Sequence, residues 1–411
     1  MKPLLVKTVM GIIFVIFFYY TSNKEAYSEV KYNFITKATQ AIVTDESGTL
    51  ILFAKNPYDS FHPASITKLM LLYIAFEKLE KGELNLATQT KVSKNAFDKG
   101  NYRTGGSSLF LLLNQTVSIE TLIKGISVAS GNDASITLAE IIAGNESTFV
   151  NYMNQKAKIL GMQNTNFANV DGFNNNNHYS TAFDIALLAN RIRIDFPQYY
   201  YLFKDKEITF NNIKQWNRNL LLFNDLSNNV VVDGLKTGHH SLSKYSLAFS
   251  AITESEDTKN YAMRVTGVVS GLNSHQERYQ ESAKLLRWVY NNYRNQLFYK
   301  KDEIIKSIKV NNGKKSAIKL IAAENLNIIT PKKLNLNRAK LTLSYNGNLE
   351  APIKIGDHIG TLTFISPDST YNKIYKIVAQ ENIERKNKVL LFILSPYYAI
   401  KKAIKNLSNT N

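Results

Sequence analysis

The sequence predicts an α+β fold: a sheet flanked by helices, then a small antiparallel β-sandwich domain and a C-terminal amphipathic helix. Two β-prone runs form a hairpin near the start, between residues 38 and 55. Helical periodicity dominates the middle, and strand-like runs return from residue 244 onward. Because strands flank the helical region on both sides, we expect early and late strands to share one sheet. Beyond about Leu297, short alternating runs separated by Asn, Gly and Pro turns are typical of an antiparallel β domain.

Local patterns predict each element in turn. Runs 41–43 and 50–53 are β-prone and are separated by the turn residues 45–48. The segment Pro63-Ala64-Ser65 opens a strongly periodic helix that ends near Gly82. Further helices are predicted at 121–138, 146–160, 181–194 and 277–292, and further strands at 244–252, 261–269, 304–310, 341–345 and 360–364.

Composition limits the functions that the chain can have. Its 411 residues allow two or three domains, at roughly one domain per 150 residues. With 44% hydrophobic and 20% charged residues, it is neither largely disordered nor a multi-span membrane protein. Because cysteine is absent, disulfides, thiolate metal sites and a cysteine nucleophile are excluded. The net charge of +17 suggests an anionic neighbour, although Lys/Asn-biased codon usage would explain part of it.

The N-terminus resembles a secretory signal. Lys2 and Lys7 give a basic start, the run 9–20 is apolar, and Ala26-Tyr27-Ser28 fits a cleavage site. The apolar run is shorter than the about 20 residues that a bilayer span needs, although an uncleaved anchor remains the alternative. We therefore expect residues from about 29 onward to be exported, which argues against nucleic acid as the anionic partner.

The C-terminus carries a basic amphipathic pattern. Ser395-Pro396 is typical of a helix start, and one helical stripe follows at Tyr397, Ile400, Ile404 and Leu407. Lysines at 401, 402 and 405 fall on or beside the other face. Such a helix can lie in the surface of an anionic membrane, which we expect of residues 388–411; packing against the protein's own body is the alternative.

The first chemical motif is Ser65-Ile66-Thr67-Lys68, at the predicted start of a helix. A spacing of three places the hydroxyl and the amine on one face, close enough for proton transfer. Backbone N–H groups at a helix start also favour negative charge near the serine. By itself the pattern is common, and a surface serine and lysine would explain it.

Two further motifs follow at intervals of 65 and 106 residues. Ser130-Gly131-Asn132 joins two helical stretches and can project a hydroxyl and an amide into a cleft, although these are also ordinary turn residues. Lys236-Thr237-Gly238 lies on a predicted edge strand, where the glycine lets a bound chain approach and Lys and Thr offer groups to a carboxylate. In this order, the three motifs resemble those of penicillin-binding proteins and class A β-lactamases, although the β-lactamases have Asp where Gly131 stands.

The chain resembles the D-alanyl-D-alanine carboxypeptidases, the low-molecular-mass penicillin-binding proteins of the serine peptidase type. The likeness extends along nearly the whole chain, in SVASGNDASITLAE (127–140), VDGLKTGH (232–239), ESAKLLRW (281–288) and LEAPIKIGDHIGTL (349–362). It implies a β-lactamase/transpeptidase-like catalytic domain. The expected segments are a signal peptide at 1–28, the catalytic domain at 29–296, a β domain at 297–387 and a membrane anchor at 388–411.

The resemblance also implies roles for residues. Ser65 would attack the penultimate D-alanine of the peptidoglycan stem peptide, Lys68 would be its general base, and Ser130 would relay the proton. The substrate would be bound by Asn132, Lys236, Thr237, Gly238, His239 and Arg278, with backbone N–H groups of Ser65 and His239 forming the oxyanion hole. β-Lactams would bind as inhibitors, no cofactor or metal is implied, and the enzyme would lie on the periplasmic face of the bacterial cytoplasmic membrane.

Two positions depart from the family pattern, and three alternatives stay open. His240 and Lys244 replace the usual Thr and Gly. A class A β-lactamase would need a Glu beyond the second motif, and none occurs between Glu146 and Glu207. A transpeptidase or endopeptidase would differ only in the group that accepts the acyl chain. An inactive wall-binding protein would have no need of the complete catalytic set.

Overall fold

The computed structural model describes residues 33–226, 229–253 and 261–386. The predicted signal peptide at 1–28 and the predicted anchor at 388–411 lie outside these ranges. The chain forms two compact units. Among the described residues, the first unit comprises 33–226, 229–253 and 262–291. The second unit comprises 261 and 292–386. No helix within the described ranges is long and apolar enough to cross a membrane.

The first unit combines a central antiparallel sheet with helices. Its strands are β1 Gln40–Asp45, β2 Ile51–Lys55, β3 Ser60–Phe61, β4 Gln89–Lys91, β5 Thr116–Ser118, β6 Ser180–Thr181, β7 Glu207–Phe210, β8 Ile213–Trp216, β9 Val230–His240, β10 Lys244–Thr253 and β11 Arg264–Leu272. Its α-helices are α1 Lys68–Glu80, α2 Lys94–Gly100, α3 Ile119–Lys124, α4 Asn132–Ala143, α5 Glu146–Leu160, α6 Ala182–Asp195 and α7 His275–Asn292.

The five-stranded sheet has the order β2-β1-β11-β10-β9. Ile42 of β1 lies opposite Val268 of β11, so the prediction that early and late strands share one sheet is confirmed. Strand β9, which carries the third motif, is an edge strand, as the sequence predicts. Helix α6 packs on β1 and β11, and α1 is buried at every position from 68 to 76. Because α1 is apolar on nearly all sides, it forms the centre of the core.

The structure differs from the sequence prediction in three places. The predicted helix 121–138 is interrupted, because α3 gives way to a π-helical turn at Gly125–Ala129 and Ser130 adopts a left-handed conformation with φ 62°. Helix α4 then begins at Asn132. The predicted strand 261–269 instead begins at Arg264, and the β7–β8 hairpin was not predicted. The helical break is where the second motif lies, so periodicity alone conceals a functional turn.

The second unit is an antiparallel β structure with its own core. Its strands are β12 Tyr293–Tyr299, β13 Ile304–Lys309, β14 Ala317–Ala322, β15 Leu326–Pro331, β16 Lys340–Tyr345, β17 His358–Ile365 and β18 Asn372–Ala379. One sheet has the order β13-β14-β18-β17-β16 and the other pairs β12 with β15. Leu326 and Ile328 of the smaller sheet share a core with Leu320 and Phe364 of the larger one. The predicted antiparallel β-sandwich is therefore confirmed.

Candidate active site

Ser65 lies on a 3₁₀ turn at Ala64–Thr67, which we call the nucleophile turn and which leads directly into α1. Ala64, just before the serine, has a left-handed backbone with φ 50°. Gly172 packs against it so closely that an added Cβ would lie 1.9 Å from the Ala64 carbonyl oxygen. Since φ at Gly172 is +79°, only glycine fits this contact without strain. The local fold therefore holds the serine on a constrained turn.

Lys68 begins helix α1 and is completely buried. Its Nζ lies 3.0 Å from Ser65 Oγ, 2.8 Å from Asn132 Oδ1 and 2.5 Å from the Asp171 carbonyl oxygen. Burial lowers the pKa of Lys68 to about 8, with the Arg218 cation acting in the same direction and Asp171 and Asp133 opposing it. The buried amine is thus far easier to deprotonate than an ordinary lysine.

The neighbours of Lys68 match a neutral amine. The Asn132 amide oxygen and the Asp171 carbonyl oxygen can only accept hydrogen bonds, so they take the two N–H groups of a neutral amine. Its lone pair is then left facing the Ser65 hydroxyl, which can donate. The arrangement can therefore move a proton from Ser65 Oγ to Lys68 Nζ.

Ser130 lies at the break between the π-helical turn and α4, and its side chain is buried. Its Oγ has no hydrogen-bond partner among the described residues, which is unusual for a buried hydroxyl. The neighbouring Asn132 is anchored through its N–H, which donates to the Ser107 carbonyl at 2.8 Å. An unpartnered hydroxyl at a cleft wall is free to bond a ligand.

Asp133 ties the second motif to the loop that forms the cleft edge. Its carboxylate accepts hydrogen bonds from the backbone N–H groups of Leu109 and Leu111 at 2.8 and 2.9 Å and from the Ser108 hydroxyl at 2.7 Å. It also accepts from the N–H of Ala134 at 2.8 Å. One buried carboxylate therefore fixes the start of α4 and this loop together.

Strand β9 brings the third motif against the nucleophile turn. Lys236 is buried, and burial, followed by the Lys68, Arg218 and Arg278 cations, holds its pKa well below its usual value. Its Nζ donates to the Thr237 carbonyl at 3.1 Å. A Cβ on Gly238 would lie 2.6 Å from Ser246 Oγ and 2.8 Å from the Pro63 carbonyl oxygen, so this glycine permits β9 to approach the turn.

Two arginines add positive charge to the same site. Arg278 is buried, and its guanidinium donates to the Gly238 carbonyl at 3.3 Å and to the Arg218 carbonyl at 2.9 Å. Burial, followed by the Arg218 cation, lowers the pKa of Arg278 to about 10. Arg218 itself donates to Ser107 Oγ at 2.6 Å. Burial lowers the pKa of the more exposed Arg218 less than that of the buried Arg278. Cations crowded together with lowered pKa values indicate a site that gains stability when an anion binds.

These groups surround a cleft of about 400 Å³. Every predicted site residue lines it except Lys68 and Lys236, which are buried: the lining includes Ser65, Ser130, Asn132, Thr237, Gly238, His239 and Arg278. Sequence reasoning missed Arg218, which also lines the cleft, and the Asp171 carbonyl. Neither belongs to a recognisable motif, so only the fold brings them to the site.

The family described as D-alanyl-D-alanine carboxypeptidase matches residues 27–274 of the chain, which is more than half of it. The chain belongs to the D-alanyl-D-alanine carboxypeptidase family. The C-terminal domain of penicillin-binding protein 5 matches residues 293–385 as well. As a member of this family, the protein is a serine hydrolase, a serine-type D-alanyl-D-alanine carboxypeptidase. Arg278 lies just beyond the first matched range.

Individual carboxypeptidases of known sequence resemble the chain over most of its length. D-alanyl-D-alanine carboxypeptidase DacA of Haemophilus influenzae is 37% identical over 331 residues, covering 80% of this chain and 81% of that protein. DacC of Escherichia coli is 36% identical and covers 84% and 83%. The crystal structure of penicillin-binding protein 5 from Haemophilus influenzae matches with a TM-score of 0.72 at 33% identity, covering 87% of this chain and all of that one.

Proposed function

We propose that the protein removes the terminal D-alanine from peptidoglycan stem peptides through an acyl-enzyme on Ser65. The observation that carries this assignment is the buried Lys68 amine, 3.0 Å from Ser65 Oγ and with a pKa lowered to about 8. An amine that is partly neutral at pH 7 can act as a general base for the serine. Family membership supports the same reaction.

In the acylation step, Ser65 Oγ attacks the carbonyl carbon of the penultimate D-alanine and transfers its proton to Lys68. The backbone N–H groups of Ser65 and His239 bind the oxygen that becomes negative, and such a donor typically contributes about 100- to 1,000-fold in rate. The peptide C–N bond then breaks: Ser130 gives its hydroxyl proton to the departing amine of D-alanine and receives in return the proton that Lys68 took from Ser65. The unpartnered, buried Oγ of Ser130 supports this role.

The cations of the cleft bind the substrate's C-terminal carboxylate. Lys236 and Arg278 are buried beside one another's charge, so a carboxylate would relieve their repulsion and raise their lowered pKa values. Thr237 offers a hydroxyl to the same group, and Asn132 holds the peptide amide. β-Lactams carry a reactive amide and a carboxylate, so the same groups would bind and be acylated by them. Water then hydrolyses the ester and regenerates Ser65.

Release of D-alanine from a D-Ala-D-Ala pentapeptide tests this proposal. Chain 29–411 should release D-alanine and bind fluorescent penicillin covalently, and Ser65→Ala should do neither. Ser307→Ala, at an exposed serine of β13 in the second unit, is the matched control and should behave as the parent chain does. Labelling of Ser65→Ala would show that the nucleophile is misassigned. Both reactions release D-alanine when the acyl-enzyme forms, so transfer of the acyl group to an added amino acid in place of its hydrolysis would favour the transpeptidase alternative.

We further propose the segment boundaries and location that the sequence predicts. Residues 29–296 would form the catalytic domain and 297–387 the β domain, with 388–411 as a peripheral anchor on the periplasmic face of the cytoplasmic membrane. The net charge of +17 is consistent with attraction to anionic lipid. Deleting 388–411 should move the exported protein to the soluble fraction without changing penicillin labelling. Retention on the membrane after this deletion and signal cleavage would refute the anchor.

A further inference from the structure

Three histidine rings stack on one another beside the catalytic cleft. The rings of His62 and His240 lie nearly parallel, with centroids 4.0 Å apart and planes 13° apart. The ring of His178 stacks on His62 at 5.1 Å and 29°. We call these three residues the imidazole stack. The catalytic roles proposed above use none of its side chains.

Hydrogen bonds hold all three rings in one neutral form. In each ring Nδ1 accepts a hydrogen bond from a backbone N–H, donated by Ala64, Ala168 and Leu242 at 3.1, 3.2 and 3.2 Å. A ring nitrogen that accepts carries no proton, so the single proton of each neutral ring is on Nε2. Nε2 of His178 donates to Thr67 Oγ1 at 2.7 Å, and Nε2 of His240 donates to Asn174 Oδ1 at 3.1 Å.

The rings also disfavour charge on one another. Burial is the main cause that lowers the pKa of His62 to about 4, and the His240 ring adds to it. Burial, followed by the His62 ring, lowers the pKa of His178 to about 3. Burial and His239 lower the pKa of His240 as well. All three rings are therefore uncharged at neutral pH.

The groups that face the stack from neighbouring elements are mainly basic. Lys68 of α1 acts on His178, and Lys244 of β10 lines the adjoining cavity of about 560 Å³. No described residue that lines this cavity carries a carboxylate. The Phe173 carbonyl raises the pKa of His62, but burial lowers this pKa by more. The nearby Asp171 carboxylate accepts a hydrogen bond from the backbone N–H of Phe173. No compensating charge is therefore at hand for a protonated ring.

The stack connects the segments that build the active site. His62 fixes Ala64, the strained residue immediately before Ser65. His178 fixes Thr67 at the end of the nucleophile turn. His240 belongs to β9, directly after the residue whose N–H is proposed for the oxyanion hole. The contacts between these rings therefore connect the nucleophile turn, which carries Ser65, to strand β9, which carries the proposed oxyanion donor.

We infer that the imidazole stack positions the nucleophile turn against strand β9, and that it does so only while its rings are uncharged. This inference rests on the proposed acylation of Ser65. A proton on Nδ1 of His62 would set an N–H against the Ala64 N–H and break that hydrogen bond. The resulting cation would lie within a stack whose other rings can supply no negative charge. The turn and the strand would then move apart, and acylation would slow.

Two variants of His240 separate ring stacking from other roles. His240→Phe keeps a flat ring that cannot be protonated, and His240→Ala removes the ring. Acylation by fluorescent penicillin at pH 7.5 should be about 10- to 100-fold slower in His240→Ala, the loss typical of a small misplacement, and close to the parent rate in His240→Phe. Between pH 6 and 4.5 the ratio of His240→Phe to the parent rate should rise, because the variant stack contains one ring fewer that can become charged. The effect of Lys68 protonation is common to both rates and cancels in this ratio.

Three results would overturn the inference: His240→Phe as slow as His240→Ala, His240→Ala as fast as the parent chain, or a pH-independent ratio. Imidazole resonances of the ¹³C-histidine-labelled parent chain give a test that needs no variant. The rings of His62 and His178, whose pKa values burial lowers to about 4 and about 3, should hold their shifts from pH 7.5 to 5.5, while free histidine in the same tube titrates near 6.5. Rings that titrate with free histidine would contradict the inference. Failure of Ser65 to be labelled would instead contradict the proposed function, and the resonances would still report on the stack.

Discussion

Changing the pH should change the rate of acylation through Lys68, because only the neutral amine can accept the serine proton. Burial lowers the pKa of Lys68 from 10.5 to about 8. Roughly one tenth of the amine is then neutral at pH 7, compared with about 0.03% for an ordinary lysine. The neutral fraction increases about 90-fold from pH 6 to pH 9, so the rate should rise by this factor and level off above pH 9.

The assay is the second-order rate constant for labelling by fluorescent penicillin, measured at constant ionic strength from pH 6 to 10. This constant reports the ionisation of the free enzyme. Burial lowers the pKa values of His239 and His275, which also line the cleft, so these rings titrate below the midpoint expected for Lys68. A rate that still rises tenfold per pH unit at pH 10 would refute the lowered pKa. A constant rate from pH 6 to 9 would refute Lys68 as the base.

Three further outcomes follow from the structure. Asp133→Asn should lower the free energy of unfolding by about 2 kcal/mol, measured by urea denaturation, because the new amide group would face a backbone N–H that now donates to the carboxylate. A loss below about 0.5 kcal/mol would contradict the role of Asp133 in fixing the start of α4 and the cleft loop. Gly172→Ala should slow penicillin labelling at least about tenfold by displacing Ala64, whereas Gly82→Ala, with open space around the added Cβ, should not slow it. Equal labelling rates in the two variants would contradict the close contact between Gly172 and Ala64. Burial lowers the pKa of His178 to about 3, so in acid the unfolded chain binds more protons than the folded chain, and His178 should cost about 2 kcal/mol of stability at pH 5 relative to pH 7.5. His178→Gln should lose this contribution to the pH dependence of stability, and an unchanged dependence in the variant would contradict the lowered pKa.

Local residue patterns predict much of the secondary structure and the contact between Ser65 and Lys68. The hairpin of β1 and β2 and the helix α5 follow from the residue pattern of short segments, and the structure has them at the predicted places. The spacing of three between Ser65 and Lys68 is also local, although the serine lies on a 3₁₀ turn and the lysine on the α-helix that follows. Such contacts depend on few intervening residues, so the sequence predicts them well.

Contacts between distant segments could not be predicted in this way. Arg218 reaches the cleft through an irregular segment after β8, and no residue pattern marks it. The close approach of Gly172 to Ala64 joins residues more than a hundred positions apart, and the break at Ser130 overrides an unbroken helical periodicity. Tertiary packing decides these features, and local propensity carries little information about them.

Mass spectrometry of the chain after a brief reaction with benzylpenicillin tests the central claim most directly. A neutral Lys68 beside the serine predicts one penicilloyl group per chain, located on the peptide that contains Ser65, and none in Ser65→Ala. An adduct on Ser130 or on any other residue, or no adduct at all in the folded parent chain, would contradict the account.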